Sequence, residues 1–226
     1  MKLQYLLIIL IAFAISCTNN EDSHQHNHEH HGHHHDHNKS NKHMNKTSFE
    51  ELVARFEDST RVEWQKPDEV VALLGEIDGK TIMDIGAGTG YFAFRLAEKG
   101  ANVIAADVDE RFIDFINKKE NDKVTTRKVP FDSPNLAKAE VDAVIIVNTY
   151  HHIENRTDYF KQVLDGLKEN GQLMIVDFKK QKTTHGPPVD HKFTEAEVME
   201  ELKTAGFTEF EVNSELLEEQ YVIMAK

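Results

Sequence analysis

From Thr47 onward the sequence predicts an α/β fold with helices on both faces of a mostly parallel sheet, and three patterns lead to it. Apolar runs of strand length alternate with amphipathic segments of helix length. The strongest runs, "TIMDI" and "VDAVIIVN", are apolar almost throughout, as strands covered on both faces are. The first of them leads directly into a turn with glycines at alternate positions, Gly86, Gly88 and Gly90, before a new amphipathic segment begins.

The elements follow in order. "TSFEELVARFED" sets Phe49, Leu52, Val53 and Phe56 on one helical face behind a Thr or Ser cap. "KPDEVVALLGEI" starts a second helix with Pro67 in its first turn and Gly75 near its end. After the strand "TIMDI" come the helix "YFAFRLAEKG", the strand "NVIAAD", the helix "DERFIDFINKKE", the weak strand "KVTTRKV" and the strong strand "VDAVIIVN". A helix over "RTDYFKQVLDGLKENG" and a strand over "QLMIVDF" complete the alternation, which implies right-handed crossovers and parallel pairing. The tail departs from that rhythm. "TEAEVMEELKTAGF" is a helix whose Thr194 and Glu197 stand at capping-box spacing, and "FTEFEVNSELLEEQYVIMAK" reads as two strands with no helix between them, hence an antiparallel pair.

Composition bounds the function. The chain has 226 residues, 39% of them apolar, enough for one substantial core, and its formal charge is −13. That balance disfavours nucleic acid as a partner, because such affinity rests on Lys and Arg neutralising phosphates. The single cysteine, Cys17, excludes an intramolecular disulfide framework. Cys17 closes "LQYLLIILIAFAISC", a run of signal-peptide length behind Lys2, and "AISC" resembles the lipobox of bacterial lipoproteins. Residues 1–17 are therefore expected to be a signal peptide with Cys17 lipidated, the mature protein being exported and membrane-anchored; an uncleaved anchor is the alternative. Residues 18–46 read as a disordered tether, since almost nothing in them is apolar. The tether carries His24, His26, His28, His30, His31, His33, His34, His35 and His37, a tract that would take up divalent metal through many alternative ligand sets rather than one fixed geometry. Residues 47–226 form the folded domain.

The glycine turn raises the question of a ligand. In an open α/β sheet the first strand-to-helix turn lies beside the point where strand order reverses, and ligands bind there. The spacing G-x-G-x-G lacks the third glycine of the dinucleotide fingerprint, its place being taken by Tyr91, which weighs against a nicotinamide-dependent oxidoreductase. Asp84 opens the turn and suits a ligand with an ammonium group; Asp107 ends the next strand, where a carboxylate can accept from both hydroxyls of a ribose. A nucleoside carrying an amino acid answers both.

D-x-G-x-G-x-G followed by V-I-A-A-D resembles the S-adenosylmethionine site of class I methyltransferases, and the terminal antiparallel pair resembles the last strands of their Rossmann-like, seven-stranded sheet. The resemblance spans residues 47–226. It implies that Asp84, Gly86, Gly88 and Gly90 form the methionine-side loop, with the Ala87 backbone close to the ligand. Asp107 would bind the ribose, Val108 would pack on adenine, and Asp132 in "VPFDSPNL" would lie near the adenine amino group. Asn148 would face the sulfonium or the acceptor. "EWQKP" is similar to a string found ahead of the glycine turn in a bacterial subgroup of the family; its Trp64 either lids the pocket or packs the N-terminal helix onto the sheet.

Catalytic candidates cluster after the fourth and fifth strands. "NTYHHIEN" puts His151 and His152 at the rim where methyl transfer is expected, and "HGPPVDHKF" adds His185 and His191. Histidine can deprotonate an oxygen acceptor near neutral pH. Similarity to quinone-type O-methyltransferases points to His152 rather than His151, and His191 is the stronger of the later pair. The leading expectation is an exported, lipid-anchored methyltransferase acting on a small or lipid-soluble acceptor. A non-catalytic nucleoside- and metal-binding lipoprotein is the alternative, favoured by the distance between an exported domain and a donor made inside the cell.

Overall fold

The computed structural model describes residues 47–226. The expected signal segment, Cys17 and the histidine tract lie outside the described residues. Among the described residues no helix is long and apolar enough to cross a membrane.

Three short helices come first, α1 (Phe49–Phe56), α2 (Arg61–Gln65) and α3 (Pro67–Ala72). Then β1 (Thr81–Ile85), α4 (Tyr91–Glu98), β2 (Asn102–Asp107), α5 (Glu110–Asn117), β3 (Val124–Lys128) and β4 (Val141–Val147) alternate. A 3-10 turn at Tyr150–His152 leads to α6 (Arg156–Gly166) and β5 (Leu167–Phe178); a second, Val189–His191, precedes α7 (Glu195–Ala205), β6 (Phe210–Asn213) and β7 (Gln220–Ala225). The seven strands form one sheet in the order β3-β2-β1-β4-β5-β7-β6. Pairs among β1 to β5 are parallel, and β7 runs antiparallel to both β5 and β6. Strand order reverses between β1 and β4, so the carboxyl ends of β1, β2, β4 and β5 open on the same edge.

Strand alternation divides the core between the two faces. Met83, Ile85, Val144, Ile146, Leu173 and Ile175 meet Phe160 and Val163 of α6 and Val198 and Leu202 of α7. Ile82, Ala105, Ala143, Ile145, Met174 and Val176 meet Val70 and Val71 of α3 and Phe92, Ala93 and Leu96 of α4. Period-2 alternation along β1 therefore places Asp84 on the second face, beside α4 and the N-terminal helices.

Local signals behaved as their chemistry requires. Ser48 caps α1 by accepting the Glu51 N–H. Thr194 and Glu197 form the capping box of α7, each side chain satisfying the other's backbone N–H. Thr194→Ala is expected to lower stability by about 1 kcal/mol, read as a shifted denaturant midpoint at unchanged slope; an unchanged midpoint would show that the helix start is held by packing alone.

Two expectations change. The helix predicted over residues 156–171 ends at Gly166. Leu167 is already extended and pairs with Val141, the register then jumps to Ala143 with Gln172, and Asn170 turns through φ +61°. Gly166 also sits against Leu136, where a Cβ would come within 2.6 Å of that side chain. Tertiary pairing thus overrides a helical pattern whose last turn is polar and glycine-bounded. The helix α2 has no strong sequence signature; it forms between the Asp58–Thr60 turn and Pro67, and Lys66 separates it from α3 by adopting φ +43°.

Candidate active site

The turn after β1 is built so that only glycine fits. Gly86, Gly88 and Gly90 have φ of +74°, +54° and +82°, in the left-handed region costly for residues with a Cβ. A Cβ on Gly86 would lie 2.3 Å from Thr149 Oγ1, so the turn passes against the loop after β4. A Cβ on Gly88 would come within 3.2 Å of Phe56, which shows that α1 is seated on the turn. The N–H groups of Gly86 and Ala87 donate to Ala106 O at 2.8 and 3.0 Å, and Ala87 O accepts from Gly90. The Ala87 N–H and carbonyl are thus both spent within the fold.

Two carboxylates flank this turn. Asp107 is 7% exposed; its oxygens accept from the Gly88 N–H and the Asp109 N–H, each at 2.9 Å. Burial pushes its carboxyl up, opposed by those backbone donors. Asp84 is 2% exposed, and burial together with the Asp107 charge pushes it up to about 7, with Arg61 and the Ala93 N–H opposing. Arg61, itself pushed down to about 10 by burial, lies over the Tyr91 ring at 4.0 Å, and Arg95 covers the same ring at 3.9 Å. Thr89 Oγ1 and Tyr91 OH are buried beside the turn without a hydrogen-bond partner. Unsatisfied buried hydroxyls of this kind mark a place where a polar ligand completes the bonding.

The rim on the β4 side is an amide network. Gln65 and Gln220, both fully buried, donate to Asn148 Oδ1, and Gln65 Nε2 also donates to Gln220 Oε1 at 2.9 Å. Arg61 Nε donates to Gln65 Oε1, which joins this network to Asp84. Asn148, at φ +55°, therefore commits its carbonyl oxygen to anchoring α2 on the strand ends. Trp64 stacks on His185 at 4.4 Å and approaches Phe178, so the lone tryptophan packs α2 against the loop after β5.

His151 and His152 lie with ring centroids 4.3 Å apart, and His191 is near enough for its charge to bear on His152. His151 is 5% exposed, with Nδ1 3.0 Å from both oxygens of Asp177 and its own N–H donating to Asp177 Oδ2. Complete burial works against a charge on Asp177, but His151 and the Phe178 and His151 N–H groups hold its carboxyl below the usual range. His152, by contrast, is pushed down to about 3 by burial and by its histidine neighbours, against the pull of Asp177, and is neutral at physiological pH. The sequence expectation placed His152 ahead of His151; the structure gives the orienting carboxylate to His151.

Asp132 stands apart from the contacts of the turn. It is exposed, on a loop moored to α6 by Gln162 Nε2 bonding to Asp132 O and by Ser133 bonding to Gln162, and no described contact joins its carboxylate to Asp107 or the turn. Val108 is partly buried against the cluster that contains Ile85 and Val129. His185 sits under Trp64 with Nδ1 on Glu219 at 2.8 Å, a structural role at the loop base. Arg61, Gln65, Thr89, Tyr91, Asp177 and Gln220 carry no site role in the sequence reading, although Thr89 and Tyr91 lie in or next to the glycine turn and Gln65 lies in "EWQKP". Among the described residues no group of three or more His, Cys, Asp or Glu could hold a metal ion.

Comparison with known proteins agrees with this geometry. The methyltransferase-domain family matches residues 83–175, from within β1 to within β5. A tRNA U34 carboxymethyltransferase of Haemophilus influenzae is 27% identical over 121 residues, covering 50% of this chain and 38% of that protein. An uncharacterized methyltransferase of Staphylococcus carnosus is 30% identical over 101 residues, 42% of this chain and 46% of its own. The chain thus spans less than half the length of these curated relatives. The crystal structure of a SAM dependent methyltransferase from Aquifex aeolicus superposes with a TM-score of 0.73 at 24% identity, over 80% of this chain and 98% of that one, and shows the shared fold. Residues 83–175 thus match the methyltransferase-domain family, and the strand order is that of a Rossmann-like methyltransferase fold.

Proposed function

We propose that the protein transfers the methyl group of S-adenosylmethionine to a small or lipid-soluble acceptor, and that Cys17 anchors it at the cell envelope. The observation that carries the donor assignment is the pair of buried carboxylates on either side of a turn only glycine can form. The residues suit the donor's groups. Asp84 offers a carboxylate to an ammonium, Arg61 a guanidinium to a carboxylate, and Asp107 the remaining lone pairs of both oxygens to a ribose diol. Thr89 Oγ1 and Tyr91 OH lack partners in the same place.

When bound, the donor supplies a methyl group already made electrophilic by its positive sulfur. What remains for the chain is alignment and exclusion of water. The glycine turn and Asp107 fix one end of the site, and the Gln65–Asn148–Gln220 network holds α2 against the strand ends as a wall. The envelope location rests on the first 17 residues, and the choice of a small acceptor over nucleic acid rests on the charge of −13.

Incubation of the full chain with methyl-labelled S-adenosylmethionine and membrane extract tests this reading. Label is expected in the small-molecule or solvent-extractable fraction. Label confined to RNA would contradict the acceptor class, and donor binding without any transfer would turn the protein into a binding module.

Asp84 adds a pH signature. Its carboxyl is raised to about 7, so the free fold holds a proton there that an ammonium-bearing ligand must displace. The sign follows: the protonated form stabilises the free protein at low pH, that contribution fades as pH rises from about 4 through about 7, and donor affinity rises in the upper part of the same window. Between pH 6 and 7.5 affinity should increase about eightfold with proton release on binding, and Asp84→Asn should flatten the dependence. Calorimetry in buffers of different ionisation enthalpy reads both; binding without proton release would remove Asp84 from the ammonium site.

A further inference from the structure

The part of the site that the donor does not explain is the buried pair on the acceptor side. We propose that His151, held by Asp177, is the base that deprotonates the acceptor, and that the acceptor is a neutral, weakly acidic hydroxyl of the phenol class. This rests on the methyltransferase reading above.

Geometry fixes which nitrogen can act. Asp177 accepts at His151 Nδ1 through both oxygens and also binds the His151 and Phe178 N–H groups, the latter at 2.7 Å. A carboxylate at Nδ1 keeps the proton on that nitrogen and leaves Nε2 with the lone pair. The carboxylate also stabilises the imidazolium once a proton arrives, as in other oriented-histidine bases. The pair bridges the carboxyl ends of β4 and β5, on the edge where the glycine turn also opens.

The surroundings select a neutral acceptor. Charge reaches the pair from His152, with His191 beside it, from Lys192 and Tyr221 through Asp177, and from Glu219 through Lys192. Asp177 is committed to His151. His152 is held neutral. Lys192, 3% exposed, spends its ammonium on Gln181 O and Thr183 Oγ1, and Glu219 accepts from His185 and from the Thr184 and His185 N–H groups. Tyr221, paired with Asp177 across β5 and β7, is buried with its phenol group pushed well above its ordinary value by burial. The committed Lys192 and Glu219 leave little counter-charge for a phosphate, carboxylate or ammonium acceptor. Aromatic rings crowd the same region instead: Trp64 stacked on His185 and near Phe178, and Tyr150 edge-on to Phe193.

The step balances. The acceptor O–H bond breaks with its proton passing to His151 Nε2, and the oxygen bonds to the methyl carbon. The carbon–sulfur bond of the sulfonium donor breaks with its electron pair left on sulfur, and the imidazolium later returns the proton to water.

The test uses the full chain, S-adenosylmethionine and para-substituted phenols from 4-nitrophenol, largely ionised at pH 8, to 4-methoxyphenol, which is not. His151→Gln should lower methylation of the least acidic phenols about 100-fold while leaving 4-nitrophenol within about threefold. Asp177→Asn should act in the same direction by about tenfold, shift the acidic limb of the pH profile, and remove the Nδ1–H tautomer of His151 seen by nitrogen NMR in the parent protein. Donor affinity should change less than about twofold in both variants. An equal loss across the phenol series would overturn the base assignment in favour of a packing role. Normal donor binding with no phenol methylated would overturn the acceptor class, whereas absent donor binding would overturn the methyltransferase reading itself.

Discussion

Asp107→Ala weakens S-adenosylmethionine binding by about 100-fold, while the folded state survives. The carboxylate is 7% exposed at the end of β2 and presents one oxygen to each of two backbone N–H groups. Its remaining lone pairs are the acceptors left for a ribose diol. Hydrogen bonds to a charged acceptor contribute about 1.5–3 kcal/mol each, and 1.4 kcal/mol is tenfold in affinity, so losing two after water partly compensates gives roughly two decades. Removing the side chain also leaves the Gly88 N–H unpaired, which loosens the turn. Calorimetric titration measures the loss. Asp107→Asn, which keeps an acceptor and the shape, should fall between the two, and a variant with unchanged affinity would show that the diol is read elsewhere.

Gly86→Ala should be more damaging to the fold. Its φ of +74° costs a residue with a Cβ about 1–2 kcal/mol, and the added methyl would sit 2.3 Å from Thr149 Oγ1 and 2.5 Å from Thr149 Cγ2. Thr149 has little room to retreat, because its hydroxyl donates to Val147 O and its loop carries the Tyr150–His152 turn. Overpacking of this kind adds about 1–3 kcal/mol, for a total near 2–5 kcal/mol. Chemical denaturation should show that loss, and donor binding should disappear with it. Gly75→Ala is the contrast: its φ is +72° with nothing within 4 Å, so only the backbone cost applies. Equal effects at the two positions would mean that the approach to Thr149 carries no weight.

Sequence pattern reached the scaffold because its signals are local. Runs such as "VDAVIIVN" announce a buried strand by their own composition, and the alternate glycines announce the turn by their spacing. Asp84 and Asp107 were visible because each has a fixed offset from that turn. What stayed hidden depends on partners distant in the chain. Nothing adjacent to Asp177 singles it out; its role appears only when β5 pairs beside β4 and brings it to His151, 26 residues earlier. Arg61 is one of several charged residues in a polar stretch, and becomes a site residue because α2 folds back over Tyr91. The same holds for Gln65 and Gln220, 155 residues apart and hydrogen-bonded. The two adjacent histidines are equivalent in sequence for a related reason: only tertiary packing gives His151 a carboxylate partner and holds His152 neutral. The helix carried too far past Gly166 shows the opposite error, a local pattern overridden by pairing with Val141.

The most direct measurement is a calorimetric titration of the full chain with S-adenosylmethionine in the presence of excess NAD and a metal chelator, the latter to silence the histidine tract. One-site binding in the micromolar range, indifferent to NAD, is the expected result. Well-folded protein that does not bind the donor, or from which NAD displaces it, would contradict the assignment of Asp84, Asp107 and the glycine turn to a methyl donor.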